Sequence, residues 1–212
     1  MKSLFLKVAM AAVDEAERIC LKHYVHRPKV LTKSDNTPVT IADRDSEAAM
    51  IEIIRKRFPD HGFIGEETGD NSAKKEFVWI IDPIDGTKNF IAQIPLWGNL
   101  LALMHGDEII LGISNVPLMN ERVWAERGKG AFLNGSAVNT SRIRDLGSSL
   151  ITTGFPFRHK DMIDPYLKLF KNIFYKVSDI RRAGSAALDL AHLACGRCDA
   201  FFEIGLGPWD IA

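Results

Sequence analysis

The run Phe77-Val78-Trp79-Ile80-Ile81 restricts this chain more than any other segment. It is a continuous stretch of apolar, β-forming residues with charge before it and Asp-Pro after it, which is the signature of a buried strand. That strand delivers Asp82 at its carboxyl end, and Pro83 and Gly86 force a turn that lets Asp82 and Asp85 point to one side of the sheet. Two unpaired carboxylates held so close repel, and the usual remedies are a shared proton or a divalent cation. All-oxygen ligands select hard cations, Mg2+ above all when waters and a phosphate complete the shell. Gly86 and Thr87 then open a short helix whose free N–H groups favour a phosphate. Taken alone, Asp82-Pro83-Ile84-Asp85-Gly86 is equally a solvated turn at a strand end.

Further acids shift that balance. Gly65-Glu66-Glu67 follows the short strand Phe63-Ile64, and Asp210 follows Pro208-Trp209 at the end of an apolar segment. Each places an acid where buried chain meets solvent, which suits the rim of a metal site; Glu67 also reads as a plain exposed acid. Thr40-Ile41-Ala42-Asp43 has the form of a helix capping box, with Thr40 accepting from the backbone and Asp43 reaching back. The functional alternative is that Asp43 orients a hydroxyl that activates water.

Around these motifs the pattern alternates helix and strand. Apolar spacing predicts helices over residues 3–24 and 41–57, the second with Ala48, Ile51, Ile54 and Phe58 on its apolar face. Strand patterns at 100–104, 109–114 and 122–125, split by turn signals such as Asn134-Gly135, predict an antiparallel meander over about 95–140. Helices return at 161–174 and 185–195, followed by a strand at Ala200-Phe201-Phe202. Equal numbers of basic and acidic residues, 27 each, argue against nucleic acid as a primary ligand, which requires a cationic surplus. Three cysteines make no disulfide framework and suggest a reducing compartment. Cys195-Gly196-Arg197-Cys198 lacks the further ligands a zinc site needs and reads as helix and core. No stretch has the length of a membrane span, and Lys7 with Asp14, Glu15 and Glu17 makes the first segment an amphipathic helix of a cytoplasmic protein, not a leader.

Asp82-Pro83-Ile84-Asp85-Gly86-Thr87, with Gly65-Glu66-Glu67 before it and Trp209-Asp210 after it, resembles the inositol monophosphatase family of Mg2+-dependent, lithium-sensitive sugar-phosphate phosphatases. Val39-Thr40-Ile41-Ala42-Asp43, the stretch from Gly128 to Gly135 and the stretch from Arg181 to Ala187 fit as well, so the resemblance spans the whole chain. It implies an α+β fold, a layered αβαβα sandwich in one domain over residues 1–212, with a metal-binding half at 1–140 and a C-terminal half at 141–212. Family members continue past Asp210 with a helix and closing strands, so the resemblance predicts a second half lacking its last elements.

The resemblance also implies roles. Glu66, Asp82 and the Ile84 carbonyl would hold a first metal, and Asp82, Asp85 and Asp210 a second, among two or three Mg2+ ions. Thr87, paired with Asp43, would help activate the attacking water, with Glu66 binding water beside it. The Gly86 and Thr87 N–H groups would grip the phosphate. Arg181, Gly184, Ser185, Ala186 and Glu203 would line the alcohol side, and Lys33 matches a lysine near the metal waters. The partner is then a small phosphate monoester acted on by a cytoplasmic homodimer. Lys88 and Pro95-Leu96-Trp97-Gly98 resemble the histidinol-phosphatase branch, whereas Phe202-Glu203-Ile204-Gly205-Leu206 is similar to bacterial inositol monophosphatases. The competing reading is a non-catalytic relative retained as a regulatory or binding module.

Overall fold

The computed structural model describes residues 3–26, 30–32 and 38–212, so the lysine at position 33 lies outside the described residues. Helix α1 (Leu4–Tyr24) starts at Ser3, whose hydroxyl accepts from the Leu6 N–H at 3.1 Å. Its buried stripe of Leu6, Ala9, Ala12, Val13, Ala16 and Cys20 is rich in small residues, which lets α2 (Ile41–Arg57) approach closely. Between them, β1 (Val30–Thr32) and β2 (Pro38–Thr40) form an antiparallel pair.

A large sheet follows, built from β3 (Gly62–Gly65), β4 (Gly69–Asn71), β5 (Phe77–Asp85), β6 (Gly98–His105), β7 (Glu108–Val116), β8 (Glu121–Glu126), β9 (Gly130–Leu133) and β10 (Ser136–Val138). Its order is β10-β9-β8-β7-β6-β5-β3-β4, antiparallel except where β3 runs parallel beside β5. The meander expected between residues 95 and 140 is β6 to β10. Short helix α3 (Thr87–Ile91) connects β5 to β6. The second sheet is fully parallel, with β11 (Leu150–Thr153) between β12 (Asp179–Arg181) and β13 (Ala200–Phe202). Helices α4 (Ile163–Phe174), α5 (Ala186–Ala194) and α6 (Pro208–Ile211) accompany it.

Strand alternation assigns the layers. Leu111 and Ile113 of β7 join Leu6, Ala9, Met50, Ile54, Trp79 and Leu103 in the core beneath α1 and α2. Ser114, on the opposite face, donates to the Ala187 carbonyl of α5 at 3.4 Å. In β11, Thr152 faces Cys198, whose thiol lies 3.8 Å from the α5 carbonyl of Asp189, while Thr153 bonds the buried Tyr166 of α4 at 2.9 Å. The order is therefore helices α1 and α2, large sheet, α5, small sheet, α4, the expected αβαβα sandwich. The cysteines are free and serve as packing groups, with the buried Cys20 thiol pushed up to about 12 by desolvation. No helix among the described residues is long and apolar enough to cross a membrane.

One expectation needs correction. The buried face of α2 is Ala42, Asp43, Ser46, Glu47, Met50 and Ile54, while Ala48 is exposed. Apolar periodicity misplaced part of this face because three of its buried members, Asp43, Ser46 and Glu47, are polar. Trp97 is wholly buried, edge-on to Phe90 at 4.9 Å and beside Tyr24 at 5.6 Å. It packs under α3.

Candidate active site

Three separate elements bring four acids to the carboxyl end of β5. Asp82 and Asp85 leave that strand where its pairing with β6 slips register, and Asp210 arrives from α6. One carboxylate oxygen from each of Asp82, Asp85 and Asp210 fits within a 4.8 Å cluster. All three residues are buried. Glu66 stands beside them at the end of β3, its N–H on the Ile81 carbonyl at 3.2 Å.

Each acid is held by specific donors. The Ile84 N–H reaches Asp82 Oδ1 at 3.0 Å. Asp85 Oδ2 accepts from the Ser185 hydroxyl at 2.6 Å and the Ala187 N–H at 2.7 Å, at the head of α5. The Gly207 N–H donates to Asp210 Oδ2 at 2.6 Å. Glu47, a residue that no sequence motif marks, is fully buried and accepts from the N–H groups of Glu67 and Thr68 at 3.0 and 2.8 Å. It thereby fixes the turn carrying Glu66. Gly65 is required there, since a Cβ would stand 2.3 Å from Glu47 Oε1.

The electrostatics show what the cluster lacks. Burial, then Glu66, Asp85 and Asp210, push the Asp82 carboxyl well above its ordinary value. Burial raises Asp85 to about 6, against the opposing Ser185 hydrogen bond. Burial also raises Asp210, opposed by Arg158. Arg158 is the second residue the sequence did not reveal: its guanidinium lies 2.9 Å from Asp210 and 3.5 Å from Glu66. Among the described residues Arg158 opposes the mutual repulsion of these acids, and the donor atoms they offer are all hard oxygens. These residues fit a hard divalent cation.

Asp43 takes the capping role that its sequence motif offered. Its Oδ2 accepts from the Thr40 N–H at 2.7 Å and the Thr40 hydroxyl at 2.6 Å, completing the capping box. Its Oδ1 is buried with no partner among the described residues, and burial raises the group to about 6. Thr87 is not hydrogen-bonded to it here; the Thr87 hydroxyl donates to the Ile84 carbonyl at 3.1 Å. Gly86 takes a left-handed conformation at φ +84°, with the Leu96 carbonyl 3.0 Å from where a Cβ would stand. A side chain is excluded at that turn.

On the alcohol side, Glu203 lies flat on Gly154, where a Cβ would come within 2.1 Å of its carboxyl carbon. Burial, with Asp85 and Asp210 adding to it, raises Glu203 to about 7. Asp189 of α5, likewise near 7 through burial and Glu203, backs this wall. Ala186 is buried beside Ser185, and Gly184 turns at φ +85°. Arg181 pairs with Asp179 on the exposed strand β12. Its neighbour Arg182 lies against Gly184, 5.7 Å from the Phe157 ring, and its charge opposes the rise in Glu203. Lys88 covers the same ring at 4.9 Å, giving the entrance a cationic rim.

Layering and buried acid cluster together define the class, an α+β sandwich with its site at the end of a central strand. The chain belongs to the inositol monophosphatase family, whose model matches residues 1–212. It is 40% identical over 210 residues to the protein named Nus factor SuhB of Escherichia coli K12, covering 98% of this chain and 79% of that one. The crystal structure of the extragenic suppressor protein suhB from Bartonella henselae superposes with a TM-score of 0.93 at 36% identity, covering 99% of this chain and 82% of that one. An inositol monophosphatase from Anabaena sp. PCC 7120 gives 0.87 at 34% identity, over 98% and 77% of the two chains.

Proposed function

We propose that this protein is a Mg2+-dependent phosphomonoesterase that hydrolyses an inositol monophosphate or a similar small polyol phosphate. The observation that carries the reading is the buried all-oxygen cluster of Asp82, Asp85 and Asp210 with Glu66 beside it, whose acids raise the Asp82 carboxyl together with burial. Those four acids and the Ile84 carbonyl would hold the ions. When bound, the ions supply phosphate binding, a more acidic water and stabilisation of the leaving alkoxide. The chain does the rest. Thr87 would let go of the Ile84 carbonyl and hold the attacking water, with the spare Oδ1 of Asp43 as the acceptor for its proton. Glu203, poised near pH 7, would accept from or donate to a hydroxyl of the alcohol. Arg182 and Lys88 at the mouth favour an anionic substrate. No Ser or Cys nucleophile is needed, because water attacks directly.

The test is phosphate release over inositol monophosphate, histidinol phosphate, fructose bisphosphate and phosphoadenosine phosphate. Inositol monophosphate is expected to lead. A preference above tenfold for histidinol phosphate, about 1.4 kcal/mol of transition-state binding, would overturn that order. A second reading, a non-catalytic regulatory module, draws support from the name Nus factor borne by the relatives. Mg2+-dependent phosphate release that Asp82→Asn abolishes would exclude it as the sole role.

A further inference from the structure

We propose that Asn99 is the positioning residue that locks Asp82 and Asp85 onto one side of β5, and that Arg122 sets its orientation through a buried chain of amides. The inference rests on the metal reading above. Residues 82 and 85 are three apart, so in a regular strand their side chains would point to opposite faces. The β5–β6 ladder pairs Asp82 with Leu100 and Asp85 with Gly98, so Pro83 and Ile84 together oppose the single residue Asn99. That two-against-one bulge restores both acids to the same side.

The bulge has a weak point at Pro83, which has no N–H and whose carbonyl falls out of the ladder. The fully buried Asn99 fills that gap, its Nδ2 donating to the Pro83 carbonyl at 2.6 Å. An amide can face either way, and here its direction is dictated from outside. Arg122 can only donate, and its Nε meets Asn115 Oδ1 at 2.8 Å. Asn115 must therefore turn its Nδ2 inward, to Glu17 at 3.0 Å and to Asn99 Oδ1 at 3.3 Å. Asn99 is then left with its donor facing Pro83. Asp14 and Glu17 of α1 hold the guanidinium at 2.6 and 3.0 Å.

The test is Mg2+ binding by titration calorimetry, read beside chelator-treated thermal unfolding. Asn99→Leu, which keeps the volume and loses the donor, is expected to weaken Mg2+ binding at least tenfold in protein that is still folded. Arg122→Ala, at the partly exposed end of the chain, is expected to weaken it severalfold and serves as the test if Asn99→Leu does not fold. A merely structural role would lower the unfolding temperature and leave the Mg2+ affinity of the folded protein unchanged, which overturns the proposal. Wild-type protein that binds Mg2+ but releases no phosphate would overturn the proposed activity and leave this positioning role standing. Wild-type protein that takes up no Mg2+ would overturn both.

Discussion

Asp82→Asn should make the metal-free protein more stable while ending its Mg2+ binding and turnover. The Asp82 carboxylate is buried and faces Glu66, Asp85 and Asp210, all of which oppose its ionisation. Asparagine keeps the shape and the Oδ1 that accepts from the Ile84 N–H, and its amide finds acceptors in the adjoining acids. Keeping a buried carboxylate ionised among like charges costs on the order of 3 kcal/mol above pH 7. For a chain of this length, 1 kcal/mol moves the unfolding midpoint by about 2–4 °C. The variant should therefore melt about 6–12 °C higher than wild type in excess chelator at pH 8. Adding Mg2+ should stabilise wild type and do nothing for the variant. A midpoint at or below that of wild type in chelator would refute the reasoning, because it would show that the cluster is not under electrostatic load.

Stability of the metal-free protein should fall as pH rises from 5 to 8. Asp43 and Asp85 have folded values near 6 and Glu203 near 7, all above their unfolded values, so their contribution is full below about pH 4 and is lost as pH passes 6 to 7. The depressed imidazoles of His61 and His192 work the other way but are outnumbered. Midpoints in chelator at the two pH values check this, and Mg2+ should reverse the trend because it needs the deprotonated acids. Thr87→Ala should lower kcat by about 10²–10⁴ with a smaller change in KM. Asp43→Asn should lower kcat too; a cap alone would cost about 1 kcal/mol of stability and spare kcat. Arg158→Ala should cost the metal-free protein no more than about 1 kcal/mol, since the side chain is partly solvated, and calorimetry should show tighter Mg2+ binding once this competing cation is gone.

The sequence exposed those features whose cause is local. Helices α1 and α2, strand β5 and the meander follow from apolar spacing and turn residues near in the chain. Strands β11 and β12 escaped because each has only three or four residues, and β12 is a charged, exposed edge with no apolar run to mark it. The acids of the Asp82–Asp85 turn were legible because the turn is written into Pro83 and Gly86. Glu47, Arg158 and Asn99 were not, because each acts on a partner between 16 and 92 residues away. Where Arg181 and Arg182 would point was not legible, because both are exposed at or just beyond the end of a three-residue strand with no apolar alternation to orient them.

One bond pair at the head of α5 has a wider reach. A single oxygen of Asp85 receives both the Ser185 hydroxyl and the Ala187 amide, so the acid that completes the cation cluster also fastens α5 to the large sheet. Seating α5 holds Asp85 in the orientation a cation requires, and a cation that fixes Asp85 holds α5 in its seat. The two equilibria are linked, and the linkage is reciprocal. Whatever pushes on α5 from the small-sheet side, a neighbouring molecule or a substitution, is thereby converted into a change of ion affinity on the far side of the helix. Ion occupancy is converted, by the same factor, into the tightness with which the two sheets are joined.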